Sequence, residues 1–324
     1  MAVLGIDAGG SKTHAVLCDQ DGEVLGVGRS GCANWEAAGL DGAQASLQEA
    51  SQQALGQAGL GPKEVKASAF GLAGLDWPND EARLKPVVGS LGLSCPRVLV
   101  NDAFLPLRAG IEDGVGLAAI AGSGATVVGR NASGRTARSF GAGYPFPDWG
   151  GAYDIAEAAV HEVAKAYRHM TPSTSLSQRM LAFYGCEKVS PMLEGIMRLE
   201  IQVGGTFAPQ VLEAADEGDM AAKGIVERAG RTIGENALSV ARELDMGETG
   251  FILVTAGGVF SSRNSILEES LEREVVNQGS QVRLRPLQSP PVVGAVLLAM
   301  DQLQAVPRIG LDAFSKAIAE ALNA

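Results

Sequence analysis

The sequence has few of the residues that usually bind metals or form disulfides. Among its 324 residues are four cysteines and three histidines. They are scattered along the chain at Cys18, Cys32, Cys95, Cys186, His14, His161 and His169. No Cys-x-x-Cys pair or other metal-ligand spacing occurs among them, which argues against a zinc site, an iron–sulfur cluster and a disulfide scaffold. We therefore expect reduced thiols in a cytoplasmic protein.

Long apolar runs and an excess of positive charge are also missing. No apolar stretch reaches the length of a membrane span, and we expect no signal peptide, because the first residues lack its charged start and apolar stretch. The formal net charge of −11 disfavours nucleic acid and anionic membrane surfaces as general partners. An anionic ligand such as ATP would then need backbone amides, helix N-termini or a metal ion at its binding site.

Glycine-rich turns are present, and the most informative one lies at the start of the chain. The segment GIDAGGSKT at positions 5–13 is an apolar strand that runs into a turn of small residues and back out as a second strand. Its spacing differs from a Walker loop, since Ser11 stands where the lysine belongs and Lys12 comes one residue late. Asp21-Gly22 then predicts a hairpin turn. The pattern indicates a β-hairpin phosphate loop, and an ordinary glycine-rich hairpin is the alternative.

The same order of elements returns in the middle of the chain. An apolar strand at 117–120 leads into a small-residue turn at 121–126, and Ser133-Gly134 stands where Asp21-Gly22 stood in the first copy. Such a repeat predicts two domains of similar topology, each with a phosphate loop facing one cleft. Chance resemblance between two glycine-rich hairpins is the alternative.

Hydrophobic periodicity supplies the remaining elements. It predicts helices over 36–58, 80–91, 103–109, 152–168, 208–217, 220–243 and 292–300, and strands over 65–72, 97–100 and 251–254. Antiparallel strands followed by βαβ units indicate an α/β fold with mixed sheets. A turn-like stretch at 110–116 marks the domain change. We predict an N-terminal domain over 1–113 and a C-terminal domain over 114–305, with a helix near 306–324 packing back on the first.

Several polar residues stand at positions where chemistry is expected. Asp102 follows an apolar strand, at the sheet edge where α/β proteins bind ligands, and a carboxylate there can take a proton from a hydroxyl group. Both Asp102 and Asp148 precede helices, so each could instead be only an N-cap. Asn34 and Trp35 offer an amide and an indole, a pairing common in sugar sites, and a core tryptophan is the competing interpretation. The turn 255–260 could lie flat against a nucleotide or be a tight strand-to-helix connection.

Together these segments resemble the sugar kinases of the actin and hexokinase superfamily, most closely the bacterial N-acetylglucosamine and glucosamine kinases grouped with the BadF/BadG-type ATPases. The resemblance rests on the order and spacing of GIDAGGSKT, the turn 121–126, the catalytic segment 100–103, the adenosine motif 255–259, the asparagine loop 31–34 and the element 148–152. Two elements depart from the family. Its commoner Gly-Asp-Glu-Gly-Ser is here Pro-Asp-Trp-Gly-Gly, and the second phosphate loop ends Gly-Ala-Thr where Gly-Ser-Asn or Gly-Ser-Cys is usual, which puts one sugar contact in doubt. The Tyr-Pro-Phe-Pro that precedes the first of these elements is similar to glucosamine-kinase variants, which leaves the amino sugar open.

The resemblance implies an α/β fold of two actin-like (ribonuclease H-like) domains, with mixed sheets flanked by helices and a cleft between them. It implies ATP and Mg²⁺ as cofactors, a homodimer, and transfer of phosphate to the 6-hydroxyl of N-acetylglucosamine or glucosamine. Asp102 would be the general base and Asp7 would hold the metal. The implied nucleotide contacts are Gly9, Gly10, Ser11, Lys12, Thr13, Gly122, Ser123, Gly124, Ala125, Gly257, Gly258 and Val259. The implied sugar contacts are Asn34, Trp35, Asp102, Thr126 and Asp148.

Two rival functions remain. A regulatory or activator ATPase of the BadF type would act on a protein partner, and a sugar-sensing protein would bind without catalysis. The lack of a cluster-binding cysteine pattern and the presence of the Asn34 loop disfavour the first rival. The aspartate at position 102 disfavours the second.

Overall fold

The computed structural model describes residues 1–143, 145–246 and 250–324. Tyr144, which begins the Tyr-Pro-Phe-Pro segment, lies outside the described residues. The strands are β1 (Ala2–Ala8), β2 (Thr13–Asp19), β3 (Val24–Ser30), β4 (Val65–Leu72), β5 (Arg97–Asn101), β6 (Gly116–Ala121), β7 (Ala125–Arg130), β8 (Thr136–Arg138), β9 (Phe251–Ala256) and β10 (Val282–Pro286). The helices are α1 (Trp35–Ala58), α2 (Pro78–Gly89), α3 (Phe104–Gly110), α4 (Ala152–Tyr167), α5 (Leu176–Tyr184), α6 (Val189–Met197), α7 (Ala208–Asp216), α8 (Met220–Glu243), α9 (Gly258–Ser261), α10 (Ser265–Asn277), α11 (Val292–Asp301) and α12 (Leu311–Asn323). Short 3₁₀ turns lie at Pro62–Glu64 and Gly205–Phe207.

The chain folds into two compact units, and the first is built from residues 1–116 and 287–324. Its sheet has the order β3-β2-β1-β4-β5, in which β1, β2 and β3 are antiparallel and β4 and β5 run parallel to β1. Successive side chains of a strand point to opposite faces. Leu4 and Ile6 therefore join a core with α1 and α2, while Val3 joins a second core with α3, α11 and α12. Helices cover both faces of this sheet.

The second unit spans residues 117–286 and repeats this topology. Its sheet has the order β10-β9-β6-β7-β8, with a hairpin on one side of β6 and parallel strands on the other. A single large core joins β6 and β9 to α4, α7, α8 and α10. The predicted fold class is confirmed, because both sheets are mixed, five-stranded and flanked by helices. No helix in the described ranges combines the length and apolarity needed to cross a bilayer.

The predicted domain boundaries need a correction at α11. Residues 287–305 were assigned to the C-terminal domain, whereas the structure places them in the first unit. The reason is backbone packing: a Cβ on Gly5 of β1 would collide with the amide of Val296, and one on Gly294 would collide with the carbonyl of Leu105 in α3. α12 also belongs to this unit, where it packs on β3 and buries Phe314 completely.

Candidate functional site

The first glycine loop connects β1 to β2 and is held by backbone hydrogen bonds. The amide of Gly9 donates to the carbonyl of Lys12 at 3.0 Å, and the amide of Ala33 donates to the carbonyl of Gly9 at 3.2 Å. Gly10, Ser11 and Lys12 are exposed at the tip. A Cβ on Gly10 would meet nothing within 4 Å. The tip therefore presents open backbone, as a phosphate-binding turn requires.

Thr13 lies beneath this loop and not at its surface. Its side chain is fully buried, at 0% exposure, and its hydroxyl donates to the carbonyl of Gly31 at 2.8 Å. The structure does not support a nucleotide contact through this side chain, because its one donor is committed and no part of it reaches solvent. Thr13 instead ties the glycine loop to the segment that leads to Asn34.

Two carboxylates interact at the carboxyl end of the first sheet. Asp7 is partly buried near the end of β1, and Asp102 follows the end of β5. Burial, and next to it the negative charge of Asp102, raise the pKa of Asp7 to about 7, against the opposing charge of Lys12. The N-cap position of α3 is Ala103, with no side-chain cap, so the structure does not support the interpretation of Asp102 as that cap.

This carboxylate pair fits a magnesium ion that arrives with a nucleotide. In residues 1–143, 145–246 and 250–324, no group of three or more His, Cys, Asp or Glu side chains is close enough to hold a metal. Mg²⁺ usually keeps several waters and binds through one or two carboxylates plus substrate phosphates. A cation beside Asp7 would also favour the charged form of a carboxylate that burial disfavours. The donor set therefore suits a shared ion and not a preformed cage.

Asn34 and Trp35 are placed at the start of α1. The Oδ1 atom of Asn34 caps this helix by accepting from the amide of Glu36 at 2.9 Å. Trp35 is more engaged: its Nε1 donates to the carbonyl of Gly74 at 2.7 Å, and the Arg83 guanidinium lies 5.1 Å from its ring centroid. Trp35 also packs against the core of the first unit. These contacts support the core interpretation of Trp35, whose side chain is partly buried.

The second glycine loop, between β6 and β7, is contacted closely by the backbone of two other glycines. The amide of Gly122 donates to the carbonyl of Gly124 at 2.9 Å, while Ser123 and Gly124 are exposed. A Cβ on Gly151 would collide with Gly124 and lie 2.6 Å from the carbonyl oxygen of Ser123. One on Gly257 would collide with the carbonyl of Ala121. The backbone at Gly151 and at Gly257 therefore approaches this loop so closely that a side chain at either position would displace it.

The start of α4 is joined to the same loop. The amides of Ala152 and Tyr153 donate to the carbonyls of Gly122 and Ser123, at 2.9 and 3.1 Å. These bonds hold two loop carbonyls toward the helix, and their partial negative charge is thereby partly neutralised. The side chain of Asp154 completes the helix start by accepting from the amides of Gly150 and Gly151.

A cavity of about 620 Å³ opens beside the second loop. Its volume falls in the range of small-molecule sites. The lining residues are Gly122, Ser123, Ala152, Tyr153, Gly204, Gly205, Thr206, Ala208, Pro209, Leu212, Gly258 and Val259. Gly258 and Val259 were predicted to contact the nucleotide, and they lie at this cavity with Gly122 and Ser123. Ala125 is buried, at 7% exposure, and does not line it.

Asp148 is the most unusual polar residue of the second unit. Its side chain is 1% exposed, and its Oδ2 accepts from the amide of Ala142 at 3.2 Å. No described residue donates to its Oδ1. The cap interpretation does not hold for Asp148, because Asp154 supplies that function. A buried carboxylate oxygen without a donor is costly, so the Oδ1 atom of Asp148 is a candidate acceptor for a ligand.

Thr126, also predicted to contact the sugar, lies on β7. Its hydroxyl is 3.3 Å from the hydroxyl of Ser139. Sequence reasoning missed the segment 73–77 altogether. Its signal was weak: it follows β4 and contains Gly74, whose φ of 81° is the left-handed conformation that favours glycine. This segment contacts the first glycine loop, the asparagine loop and the strand that precedes Asp102.

The fold and these sites together define a class of protein. Two units with the same strand order, each with a glycine hairpin at its first strand, form the two-domain actin-like α/β architecture. The chain belongs to the BadF/BadG/BcrA/BcrD ATPase family, whose model matches residues 4–299.

Similar proteins carry sugar-kinase names. The chain is 30% identical over 306 residues to an N-acetylmuramic acid/N-acetylglucosamine kinase of Clostridium acetobutylicum, covering 93% of this chain and 98% of the relative. It is 29% identical over 311 residues to an N-acetyl-D-glucosamine kinase of Dictyostelium discoideum, covering 92% and 97%. A solved structure described as a candidate N-acetylglucosamine kinase of Chromobacterium violaceum superposes with a TM-score of 0.67 at 23% identity, covering 92% of this chain and 98% of that one.

Proposed function

We propose that this protein is an ATP-dependent kinase that phosphorylates the 6-hydroxyl group of an amino sugar. The observation that carries the proposal is that Asp7, near the end of β1, and Asp102, just after β5, lie at the carboxyl end of the same sheet, where the charge of Asp102 helps to raise the pKa of Asp7. Such a pair supplies both a proton acceptor and a carboxylate for a phosphate-bound cation. Membership of an ATPase family and relatives named as amino-sugar kinases support the same chemistry.

In this mechanism Asp102 accepts the proton of the sugar hydroxyl as its oxygen attacks the γ-phosphorus of ATP. The new bond joins that oxygen to phosphorus, the bond between the γ-phosphorus and the bridging oxygen breaks, and ADP leaves. Bound Mg²⁺ supplies positive charge to the phosphates. Asp7 is the residue proposed to hold it. Because phosphoryl transfer has a loose transition state, positioning and charge neutralisation provide most of the rate enhancement.

The two glycine loops bind the phosphates in this proposal. The first contributes Gly9, Gly10, Ser11 and Lys12, and the second contributes residues 122–124. The cavity beside the second loop takes the adenosine portion of the nucleotide. Its size and its partly backbone lining, at Gly204, Gly205 and Gly258, support a flat heterocycle lying against main chain.

Asp148 and Asn34 are the proposed sugar contacts. The unpartnered Oδ1 of Asp148 suits a sugar hydroxyl donor. Asn34 keeps its Nδ2 for a ligand, since its Oδ1 is the atom used for capping. Thr126 remains a proposed contact through its hydroxyl. Trp35 contributes indirectly, by fixing the position of its neighbour Asn34.

The test is a coupled assay of ADP release across N-acetylglucosamine, glucosamine, N-acetylmannosamine, N-acetylmuramic acid and glucose. We expect at least one amino sugar to raise ADP release well above the sugar-free background. Failure of every sugar to do so contradicts the kinase proposal and favours the activator ATPase. A cytoplasmic location and a homodimer stay predictions, to be checked by fractionation and by light scattering.

A further inference from the structure

The strand that carries Asp102 lies at the edge of its sheet, and a side-chain network holds its end. β5 pairs only with β4 within the first sheet. The register places Asn101 opposite Leu72, at the last position of each strand. An edge strand has one hydrogen-bonded neighbour, so its end is fixed less firmly than that of a central strand. The position of Asp102 therefore depends on other contacts.

Asn101 supplies these contacts through both the oxygen and the nitrogen of its side-chain amide. It is 7% exposed, and its Oδ1 accepts from the amide of Ala103 at 3.1 Å. This bond closes an Asx turn around Asp102 and restricts the backbone of that residue. Its Nδ2 donates to Asp76 Oδ1 at 2.9 Å and to the carbonyl of Leu75 at 3.4 Å. Asn101 thus connects the Asp102 turn to the 73–77 segment.

The 73–77 segment is itself fixed to the other parts of the site in this unit. The amide of Ala73 donates to the carbonyl of Ala8, at the start of the first glycine loop, at 2.9 Å. The carbonyl of Gly74 accepts from Trp35, the neighbour of Asn34. Asp80 Oδ2 accepts from the amides of Asp76 and Trp77, at 3.1 and 2.7 Å. The segment therefore bridges three site segments that are far apart in sequence.

We infer that Asp76 is a positioning residue, which acts through Asn101 to hold the Asp102 carboxylate in place for proton transfer. It does not touch the reacting groups. Its carboxylate orients the Asn101 amide, and the amide fixes the turn. Loss of this bond is expected to lower kcat while substrate affinity remains, because the glycine loops and the proposed sugar contacts are unchanged. The inference rests on the proposed kinase function.

The sharpest test is a reciprocal exchange. Asn101→Asp keeps an oxygen for the Ala103 amide but loses the donor to Asp76 and places two carboxylates together. We expect kcat to fall about 10- to 100-fold with both KM values within about twofold, since small misplacements of a catalytic group have effects of this size. Adding Asp76→Asn restores the hydrogen bond with its direction reversed. The amide introduced at position 76 donates, and the carboxylate introduced at position 101 accepts. The double variant is expected to recover kcat to within about threefold of the wild type, and Asp76→Asn alone completes the cycle.

The second unit offers a matched control. Asn264 is 1% exposed, donates through Nδ2 to Asp216 Oδ1 at 2.8 Å and accepts through Oδ1 from the amide of Leu267 at 3.1 Å. Asn264→Asp removes the same kind of bond, so it should lower the thermal midpoint to a similar degree while kcat stays close to that of the wild type. Asp76→Ala, on the loop, provides a second test if Asn101→Asp does not fold, with the same expected fall in kcat.

The outcomes separate the two proposals. A wild-type protein that phosphorylates no sugar overturns the kinase function and this inference with it. An active wild type whose Asn101→Asp and Asp76→Ala variants keep full kcat overturns the inference alone. So does a rise in KM with kcat unchanged, or a double variant with no recovery.

Discussion

The two units share a strand order, but their glycine loops differ in charge and in packing. When Gly10 is matched with Gly122, Asp7 falls on Ala119 and Lys12 falls on Gly124. The first copy therefore carries charge at its loop, and the second carries none at these positions. Conversely, the second loop is contacted closely by the backbone of Gly151 and Gly257, although a Cβ at its own tip, on Gly122 or Gly124, would meet nothing within 4 Å, as on Gly10. The same topology thus gives one unit with charge at its glycine loop and one unit, the close-packed half, whose loop is held by close backbone contacts.

The turn that follows β4 in the first unit, and the corresponding turn after β9 in the second, show the same difference in packing. In the first unit Ala73 donates an ordinary backbone hydrogen bond to Ala8 at the end of β1. In the second unit, Gly257 stands in the corresponding turn after β9 and presses its backbone on Ala121 at the end of β6. Both turns brace the end of the first strand. Only the second does so at a separation that excludes a side chain.

The largest expected effect is the loss of the proposed base in the unit whose glycine loop carries charge. Asp102→Asn should lower kcat about 1,000-fold with little change in either KM, because the amide keeps the shape but cannot accept the hydroxyl proton. Steady-state ADP release measures this. Asp312→Asn, an exposed change in α12 of the same unit, serves as the control and should keep full activity. Retention of most turnover by Asp102→Asn would show that the base lies elsewhere.

The second prediction tests the close-packed half. Gly151→Ala introduces a methyl group where Gly124 leaves no room, so the second loop must shift. We expect the KM for ATP to rise about 10- to 100-fold, more than the KM for sugar, as a displacement near 1 Å can cost two orders of magnitude. Gly224→Ala is the control, since its Cβ would meet nothing within 4 Å in α8. An unchanged KM for ATP in Gly151→Ala would show that this close contact does not position the nucleotide.

The smallest expected effect concerns the charge of the first half, and it appears in stability. The folded protein keeps the Asp7 proton to about pH 7, whereas the ordinary pKa is 3.8. The folded state therefore binds more protons in this window, and the free energy of unfolding falls as pH rises through it. Asp7→Asn removes that slope, so its stability relative to the wild type should be greater at pH 8 than at pH 5, by about 2–3 kcal/mol.

Urea unfolding of the ligand-free protein at the two pH values measures this difference. Asp41→Asn, an exposed change on α1, should leave the wild-type slope in place. Equal slopes for Asp7→Asn and the wild type would mean that Asp7 is ionised in the folded protein at both pH values.

Local patterns predicted most of the elements around the site. The strand predicted over 65–72 is β4, and the helix predicted over 220–243 is α8. Apolar periodicity and glycine turns are local signals, so these elements needed no knowledge of their neighbours. The repeat also pointed correctly to two sheets of one topology, because strand, turn and hairpin recur in the same order.

The misses all involve partners that are distant in sequence. Thr13 was assigned to the nucleotide because its neighbours form the turn, and only the position of Gly31 shows where its hydroxyl donates. The sequence allowed a sugar contact for Trp35, and only the structure shows that its Nε1 donates to Gly74 and that its ring contacts Arg83. The helix α11 was placed with the residues before it, whereas its backbone packs on β1, almost 300 positions earlier. Periodicity identifies a buried face but does not name what covers it.

The return of α11 to β1 has a consequence for synthesis of the chain. The second unit is one continuous stretch, residues 117–286, and all its core residues are available once that stretch has left the ribosome. The first unit begins earlier but lacks α11 and α12 until residues 287–324 have been synthesised. One face of its sheet is therefore an exposed apolar surface while the whole second unit is made. The half that carries the acidic chemistry is the last to complete its core, and the nascent chain is most prone to aggregation before then.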